Sequence, residues 1–120
     1  MSEFGSSNFS NIIRKIIKKS LFTERQIEII LNQRGLSQNE FNITKGAYYR
    51  QVGQSRNKLN ALFYSIILLR GLGVLLPDDV DVMSRLSEQV AVIKDSDVFP
   101  EREEEVLAVI DKLIHRACDL

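Results

Sequence analysis

The chain has 120 residues, and its 16 Lys and Arg residues balance its 16 Asp and Glu residues. A hydrophobic content of 44% excludes a disordered chain, and the length suits one domain or one small domain with an extension. The single cysteine excludes an internal disulfide, and no apolar stretch approaches the ~20 residues that span a bilayer. We therefore expect a soluble cytoplasmic or nucleoid-associated protein with no membrane partner.

The zero net charge is a cancellation between two halves of the chain. Residues 1–60 hold ten basic and four acidic side chains, a net charge of +6. Residues 61–120 hold six basic and twelve acidic side chains, a net charge of −6. Such asymmetry is typical of a part that binds a polyanion joined to a part with another role.

The first helices are predicted from isoleucine spacing and from capping sequences. Residues 1–7 lack an apolar period, and we interpret them as a flexible leader or a cloning scar. Isoleucines then recur at helical spacing between residues 12 and 17. Thr23 and Gln26 fit a capping box at the start of a second helix, and Gly35 fits the position after its end. A second box, from Ser37 to Glu40, predicts a very short helix that ends near residues 41–42.

Three longer helices follow in the prediction. Thr44 caps a helix from Lys45 to about Arg70, whose apolar stripe widens after Leu59 until the helix is apolar nearly all round. Gly71 and Gly73 end it, and residues 74–76 form an apolar connector or a short strand. The next helix starts at residue 78, and a loop at residues 95–99 separates it from the last helix, which starts at residue 100. Both helices open with acidic side chains, which favour a helix start. The chain is therefore all-α, with five or six helices.

Catalytic and metal chemistry have little support in the sequence. His115 and Cys118 lie three residues apart, and two ligands do not make a zinc site. The acidic cluster 101–105 lacks the spaced ligands and the turn glycine of a calcium loop. No phosphate loop, dinucleotide fingerprint or nucleophile elbow is present. We expect no enzyme activity, no metal, no cofactor and no small-molecule ligand.

Residues 23–59 follow the order of a helix-turn-helix, in which the second helix of the pair enters the major groove. On a helical wheel Tyr48, Val52, Ser55 and Leu59 point inward. Most of the outward and flanking positions of this helix carry residue types that pair with base edges or reach phosphates: Lys45, Tyr49, Arg50, Gln54, Arg56 and Asn57. Gly46 and Gly53 also point outward, where the missing side chain would let a backbone approach closely.

The segment FTERQIEIILNQRGLSQNEFNITKGAYYRQVGQSRNKL resembles the helix-turn-helix of region 4 of bacterial sigma factors and of LuxR-type regulators. Those modules run from a TxRQxEVL helix, through GLS…E, to an IS.GTV start and a basic recognition helix. The matching residues are Thr23, Arg25, Gln26, Glu28, Ile29-Ile30, Gly35-Leu36-Ser37, Glu40, Ile43-Thr44, Gly46-Ala47, Arg56 and Lys58. The match covers about 37 of 120 residues and lacks about four residues of the family's middle helix between Glu40 and Ile43.

The resemblance implies DNA contacts at Thr44, Lys45, Tyr49, Arg50 and Gln51. It also implies that Gln38 and Arg25 lie near the DNA backbone. The wheel adds Gln54 and Arg56 to this candidate set. Together these features predict a non-enzymatic transcriptional regulator that binds double-stranded DNA through a helix starting at Thr44.

The second half of the long helix is apolar nearly all round, and so small a chain has too few other helices to cover it. This pattern predicts a homodimer. The predicted interface residues are Leu62, Phe63, Ile66, Ile67, Leu69, Ile110, Leu113 and Ile114. The expected organisation is one all-α domain over residues 8–120, with a DNA-binding part (8–59) and an acidic assembly part (60–120). Its fold class is a helix-turn-helix or a winged-helix-like variant, with a long central helix and C-terminal dimerisation helices. The alternative is an all-α module that binds protein or RNA and does not bind DNA.

Overall fold

The computed structural model describes residues 9–94 and 100–120, so the predicted leader and the predicted loop at 95–99 lie outside the described residues. The described residues form five helices and no strand, which confirms the all-α prediction. The helices are α1 (Asn11–Lys19), α2 (Glu24–Gln33), α3 (Lys45–Gly71), α4 (Pro77–Ile93) and α5 (Pro100–Ala117). Residues 74–76 are therefore a connector without strand structure.

The structure has two compact units. Of the described residues, the first unit contains residues 14–67, and the second contains residues 68–94 and 100–120 together with residues 9–13. The first unit contains α2, most of α1 and most of α3, and it therefore holds every candidate DNA-binding residue. The second unit contains α4, α5 and the last residues of α3.

The predicted capping box at the start of α2 is present. The Gln26 backbone N–H donates to Thr23 Oγ1 at 3.2 Å, and the Thr23 backbone N–H donates to Gln26 Oε1 at 2.9 Å. Each bond satisfies a backbone donor that a helix start leaves without an intrahelical partner. These two local bonds fix the first turn of α2.

The end of α2 is a Schellman motif built on Gly35. Gly35 has a φ of +71°, the left-handed conformation that glycine adopts without steric cost. The Gly35 N–H donates to the Asn32 carbonyl at 3.0 Å, and the Leu36 N–H donates to the Leu31 carbonyl at 2.8 Å. The chain is thereby turned sharply out of the helix after Arg34.

The prediction of a short helix at residues 37–42 is wrong. The chain from residue 36 to residue 44, which we call the strap, contains no helical residue. Ser37 was expected to cap such a helix, but its hydroxyl donates to Asn32 Oδ1 at 2.7 Å. The Asn39 N–H donates to the same oxygen at 2.9 Å, so the strap bonds to the end of α2 and does not coil.

Helix α3 begins and ends where the sequence predicts. The Ala47 N–H donates to Thr44 Oγ1 at 3.1 Å, which makes Thr44 the N-cap. Gly73, with a φ of +83°, ends the helix in a second Schellman motif, in which the Val74 N–H donates to the Leu69 carbonyl at 2.9 Å. The helix spans 27 residues, which is about 40 Å at 1.5 Å per residue.

Helices α4 and α5 differ in how well their side chains are covered. Helix α4 starts at Pro77, and Asp79 Oδ2 accepts the Leu76 N–H at 2.9 Å. No residue of α4 is buried, whereas α5 buries Glu103 and Ile110. The apolar face that the sequence predicts for α4 is therefore only partly covered.

Candidate nucleic-acid interface

The first half of α3 has a covered side and an open side. Val52 and Ser55 are buried, and Tyr48 and Leu59 are partly buried, as the helical wheel predicts. The open side carries the exposed candidate residues Arg50 and Gln54, and one flank carries the exposed candidates Lys45, Tyr49 and Arg56. Because Arg50 and Val52 are two residues apart, they lie about 200° apart around the helix, so the Arg50 guanidinium faces away from the packed side.

No acidic residue lies anywhere between Glu40 and Asp78, a stretch that includes the whole of α3. Helix α3 carries five basic residues, and four of them are exposed without an ion-pair partner among the residues described: Lys45, Arg50, Arg56 and Arg70. Uncompensated guanidinium groups on a helix face attract phosphate and can pair bidentately with guanine. The exposed surface of α3 among the described residues is therefore positively charged.

One side chain, Asn32, holds the strap in place. Its Oδ1 accepts hydrogen bonds from the Ser37 hydroxyl and from the Asn39 N–H, and its Nδ2 donates to the Asn39 carbonyl at 2.7 Å. An asparagine amide can satisfy both an N–H and a C=O of a neighbouring chain segment, as Asn32 does here. Asn32 therefore fixes the path from the end of α2 to the start of α3.

The strap is also anchored by a ring stack. The Phe41 ring lies 5.7 Å from the Tyr48 ring, and the Arg25 guanidinium lies 4.9 Å from the centre of the Phe41 ring. The Tyr48 hydroxyl donates to Gln33 Oε1 at 2.9 Å, which joins α3 directly to the last turn of α2. These contacts set the position of the first turn of α3 relative to α2.

The structure places Arg25 in an internal contact. The sequence resemblance implied a position near the DNA backbone, but Arg25 stacks on Phe41 and its Nε lies 3.7 Å from Glu28 Oε1. One third of the side chain remains exposed. The Arg25 guanidinium therefore contacts both the Glu28 carboxylate and the Phe41 ring, and a contact with a DNA phosphate would compete with both.

Glu28 is a buried carboxylate on α2, with a relative exposure of 1%. Burial raises the pKa of the Glu28 carboxyl, and the nearby Glu24 carboxylate acts in the same direction. The guanidinium groups of Arg25 and Arg14 oppose that rise. Glu28 matches the family pattern, and in this structure it positions Arg25 from the inside of the unit.

Three other predicted residues lie in different settings. Gln51 is partly buried, and its Oε1 accepts no hydrogen bond from the described residues. The Thr44 hydroxyl already serves as the cap of α3, and Gln38 is exposed on the strap. The structure therefore places Arg50 and Gln54 on the open side of α3 and leaves Lys45, Tyr49 and Arg56 exposed along one flank. Gln38 lies on the preceding strap, and Gln51 is partly buried.

In the sequence, Lys58 matches only the basic end of the family pattern and has no predicted structural role. Its Nζ donates to the Leu21 carbonyl at 2.7 Å and to Gln26 Oε1 at 3.1 Å. These bonds tie the middle of α3 to the turn between α1 and α2. Lys58 therefore has a structural role, which distinguishes it from Arg50 and Arg56.

The predicted dimer residues are mostly uncovered within the chain. Phe63 and Ile67 are 58% and 68% exposed, and Tyr64, which the sequence did not single out for the interface, is 74% exposed. Ile66, Leu69 and Ile114 are also exposed, and Leu62 and Leu113 are partly buried. Ile110 is buried inside its own chain, so its side chain is not available to a partner.

The described residues contain no group of three or more side chains suited to hold a metal ion. Cys118 is exposed. Among residues 9–94 and 100–120, no helix is long and apolar enough to cross a membrane.

Comparison with known proteins gives no match to a family model, a curated protein or a solved structure.

Proposed function

We propose that this protein binds double-stranded DNA through a helix-turn-helix-like module and acts as a transcriptional regulator, as a homodimer. The reading element is the first half of α3, beginning at Thr44. The observation that carries this proposal is the absence of acidic residues from α3, together with Arg50 on its open side and Arg56 on its flank, both exposed and without an ion-pair partner among the described residues. A regularly capped helix with such a face suits the major groove, which admits an α-helix.

The packing of the first unit supports the same role. A recognition helix needs a rigid support on its other side, and here α2 and the strap provide it through Tyr48, Phe41 and Asn32. In this structure the strap takes the place of the middle helix of the family pattern. We infer that the strap sets the angle at which α3 meets DNA, with Gln38 close to the phosphate backbone.

The homodimer part of the proposal is supported by exposed apolar side chains in the second half of α3. Phe63, Tyr64 and Ile67 are each more than half exposed, and contiguous apolar surface of this kind marks interaction sites. A two-fold dimer would present two reading helices to half-sites about 34 Å apart. The acidic residues of α4 and α5 would be repelled by phosphates and therefore face away from the DNA.

The proposal predicts duplex binding that depends steeply on salt. Each phosphate neutralised by Lys or Arg releases counterions, so a dimer with six or more phosphate contacts should lose about 10³-fold in affinity between 50 and 200 mM salt. Fluorescence anisotropy with a labelled duplex from upstream of the protein's own gene measures this slope. Absence of duplex binding at about 50 mM salt would reject the proposal.

The alternative is an all-α module that binds protein or RNA. The observation that favours it is the absence of a middle helix, since residues 36–44 form a strap and not a second helix. Under this alternative the basic face of α3 meets an acidic protein or an RNA. Binding to single-stranded or structured RNA that exceeds binding to duplex DNA at the same salt would decide for it.

A further inference from the structure

The first compact unit contains a pocket between the end of α2 and the middle of α3. Its volume is about 360 Å³, and its lining residues come from one face of each helix. Ile29 and Val52 are buried within this lining, whereas Phe63 is 58% exposed. The pocket therefore has a buried apolar wall and an opening to solvent, as small-molecule sites of about 300–1,000 Å³ commonly do.

One buried hydroxyl in the pocket lining, that of Ser55, has no hydrogen-bond partner. Ser55 is 2% exposed, and its Oγ bonds to no donor or acceptor among the described residues. A serine inside a helix can donate to the carbonyl four residues earlier, as Ser65 does to Ala61 at 2.7 Å. A buried hydroxyl without such a bond is unfavourable, because it has lost water and gained nothing in return. The Ser55 hydroxyl can therefore turn towards a ligand without losing a hydrogen bond.

Two guanidinium groups line the same pocket, and no carboxylate does. Arg34 is the C-cap of α2, and Arg56 lies on the flank of α3. Both side chains are exposed and without an ion-pair partner among the described residues. Arginine forms its strongest hydrogen bonds with carboxylates and phosphates, because donor and acceptor are then both charged. The charge of the pocket therefore favours an anionic ligand.

A DNA phosphate alone does not account for this lining. A phosphate at Arg34 and Arg56 would leave the aliphatic and aromatic side chains of the pocket uncovered, among them Ile30, Leu59 and Phe63. A ligand that covers them needs an apolar body as well as an anionic group. The two parts must also fit a space at the small end of the range for ligand sites.

We infer that the pocket between α2 and α3 binds a small organic anion. Its apolar body packs against Ile29, Val52 and Phe63, and its carboxylate or phosphate pairs with Arg34 and Arg56. This site differs from the sequence-based expectation of no small-molecule ligand, which rested on the absence of local motifs. The inference goes beyond the proposed function and does not depend on it, because the site is defined without DNA.

The test is an NMR titration of the ¹⁵N-labelled full chain, without DNA, against 1-naphthyl phosphate and 1-naphthoate. At least one of them should bind with a dissociation constant below about 1 mM and shift the amides of residues 29–34 and 52–63. The neutral 1-naphthamide has the same rings without the charge, and inorganic phosphate has the charge without the rings. Each should bind about tenfold more weakly or worse. The tighter of the two naphthyl anions identifies the preferred anionic group.

Variants of the two arginines test the anion contact. Arg34→Gln and Arg56→Gln should each weaken binding of the tighter probe about fivefold or more, because each removes a charge-assisted hydrogen bond. Arg85→Gln is the matched control, since Arg85 is an exposed arginine of α4 that does not line the pocket. It changes the net charge equally and should leave the dissociation constant within about twofold. Circular dichroism should show native helix content for all three.

A variant of Ser55 tests the buried end of the pocket. Ser55→Ala removes the unbonded hydroxyl and should weaken the tighter probe about threefold, through the loss of one hydrogen bond to the ligand. Its melting temperature should not fall, because the hydroxyl makes no bond within the described chain. A lower melting temperature together with unchanged probe binding would mean that the hydroxyl serves the fold and not a ligand, which contradicts its assignment to the site.

Four results overturn the inference. They are no binding of either naphthyl anion at about 5 mM, amide shifts confined to α4 and α5, equal affinity for 1-naphthamide, and unchanged affinity in both arginine variants. Probe binding by a chain that binds no duplex would support this inference and reject the DNA proposal. Duplex binding by a chain that binds no probe would overturn this inference and leave the DNA proposal standing.

Discussion

Replacing Arg50 with alanine is expected to weaken duplex binding by about 1–3 kcal/mol, which is a factor of about 5 to 150 in the dissociation constant. Arg50 is exposed on the side of α3 opposite its packed face, and no acidic residue lies on that helix. If the guanidinium pairs with a guanine, the loss should be largest on the preferred sequence and small on unrelated duplexes, so specificity falls together with affinity. Anisotropy titrations on both duplexes measure this.

The matched control for Arg50 is Arg85→Ala. Arg85 is an exposed arginine on α4, and its replacement changes the net charge of the chain by the same amount. It should leave the dissociation constant within about twofold at 100 mM salt, where charges more than ~10 Å from the DNA are screened. Equal losses for the two variants would mean that net charge, and not a reading face, governs binding.

Replacing Asn32 with alanine is expected to lower the free energy of unfolding by about 2–4 kcal/mol. The change removes three hydrogen bonds and leaves the Asn39 N–H and C=O and the Ser37 hydroxyl without their partner. The strap should then loosen, and the affinity for duplex DNA should fall because α3 loses its fixed start. Urea unfolding followed by circular dichroism gives the stability change.

Two further variants separate the role of Asn32 from that of its neighbours. Asn32→Asp keeps the oxygen that accepts from Ser37 and Asn39 but loses the donor to the Asn39 carbonyl, so it should fall between the native chain and Asn32→Ala. Asn42→Ala changes an exposed side chain of the same strap and should cost less than about 0.5 kcal/mol. If Asn32→Ala unfolds at the same urea concentration as Asn42→Ala, the strap does not depend on Asn32.

The features that the sequence predicts well are those set by nearby residues. The capping box at Thr23, the cap at Thr44 and the glycine turns at Gly35 and Gly73 each depend on residues at most five positions apart. The same locality explains why the helical wheel places Val52 and Ser55 on the buried side correctly. The all-α fold follows from these signals and needs no knowledge of tertiary contacts.

The features that the sequence does not predict depend on contacts between segments. Ser37 to Glu40 reads as a capping box, but the Asn32 amide, five to seven residues away, takes the hydroxyl of Ser37 and the backbone of Asn39 instead. Arg25 fits the family pattern for a backbone contact, and the structure turns it onto Phe41 and Glu28. Residue spacing alone does not indicate which of several possible partners a polar side chain will contact.

The distribution of charge and of apolar residues predicts the candidate surfaces only at the level of whole segments, and not of single residues. The +6 half contains the first part of the acid-free helix α3 with Arg50 and Arg56, while the −6 half contains α4, whose apolar stripe is only partly covered. The sequence pointed to the second half of α3 and to α5 as the assembly surface. It did not show that Ile110 would be buried inside its own chain, because burial depends on how closely neighbouring elements approach.

The central claim, that the first half of α3 binds duplex DNA, is tested most directly by chemical-shift mapping. Titration of the ¹⁵N-labelled chain with a duplex should shift or broaden the backbone amides of residues 38–57, with the largest changes near Lys45, Tyr49 and Arg50. Residues 77–93 and 100–117 should change little. Perturbation confined to those two helices, or no perturbation of residues 44–57 on a duplex that binds, would contradict the claim.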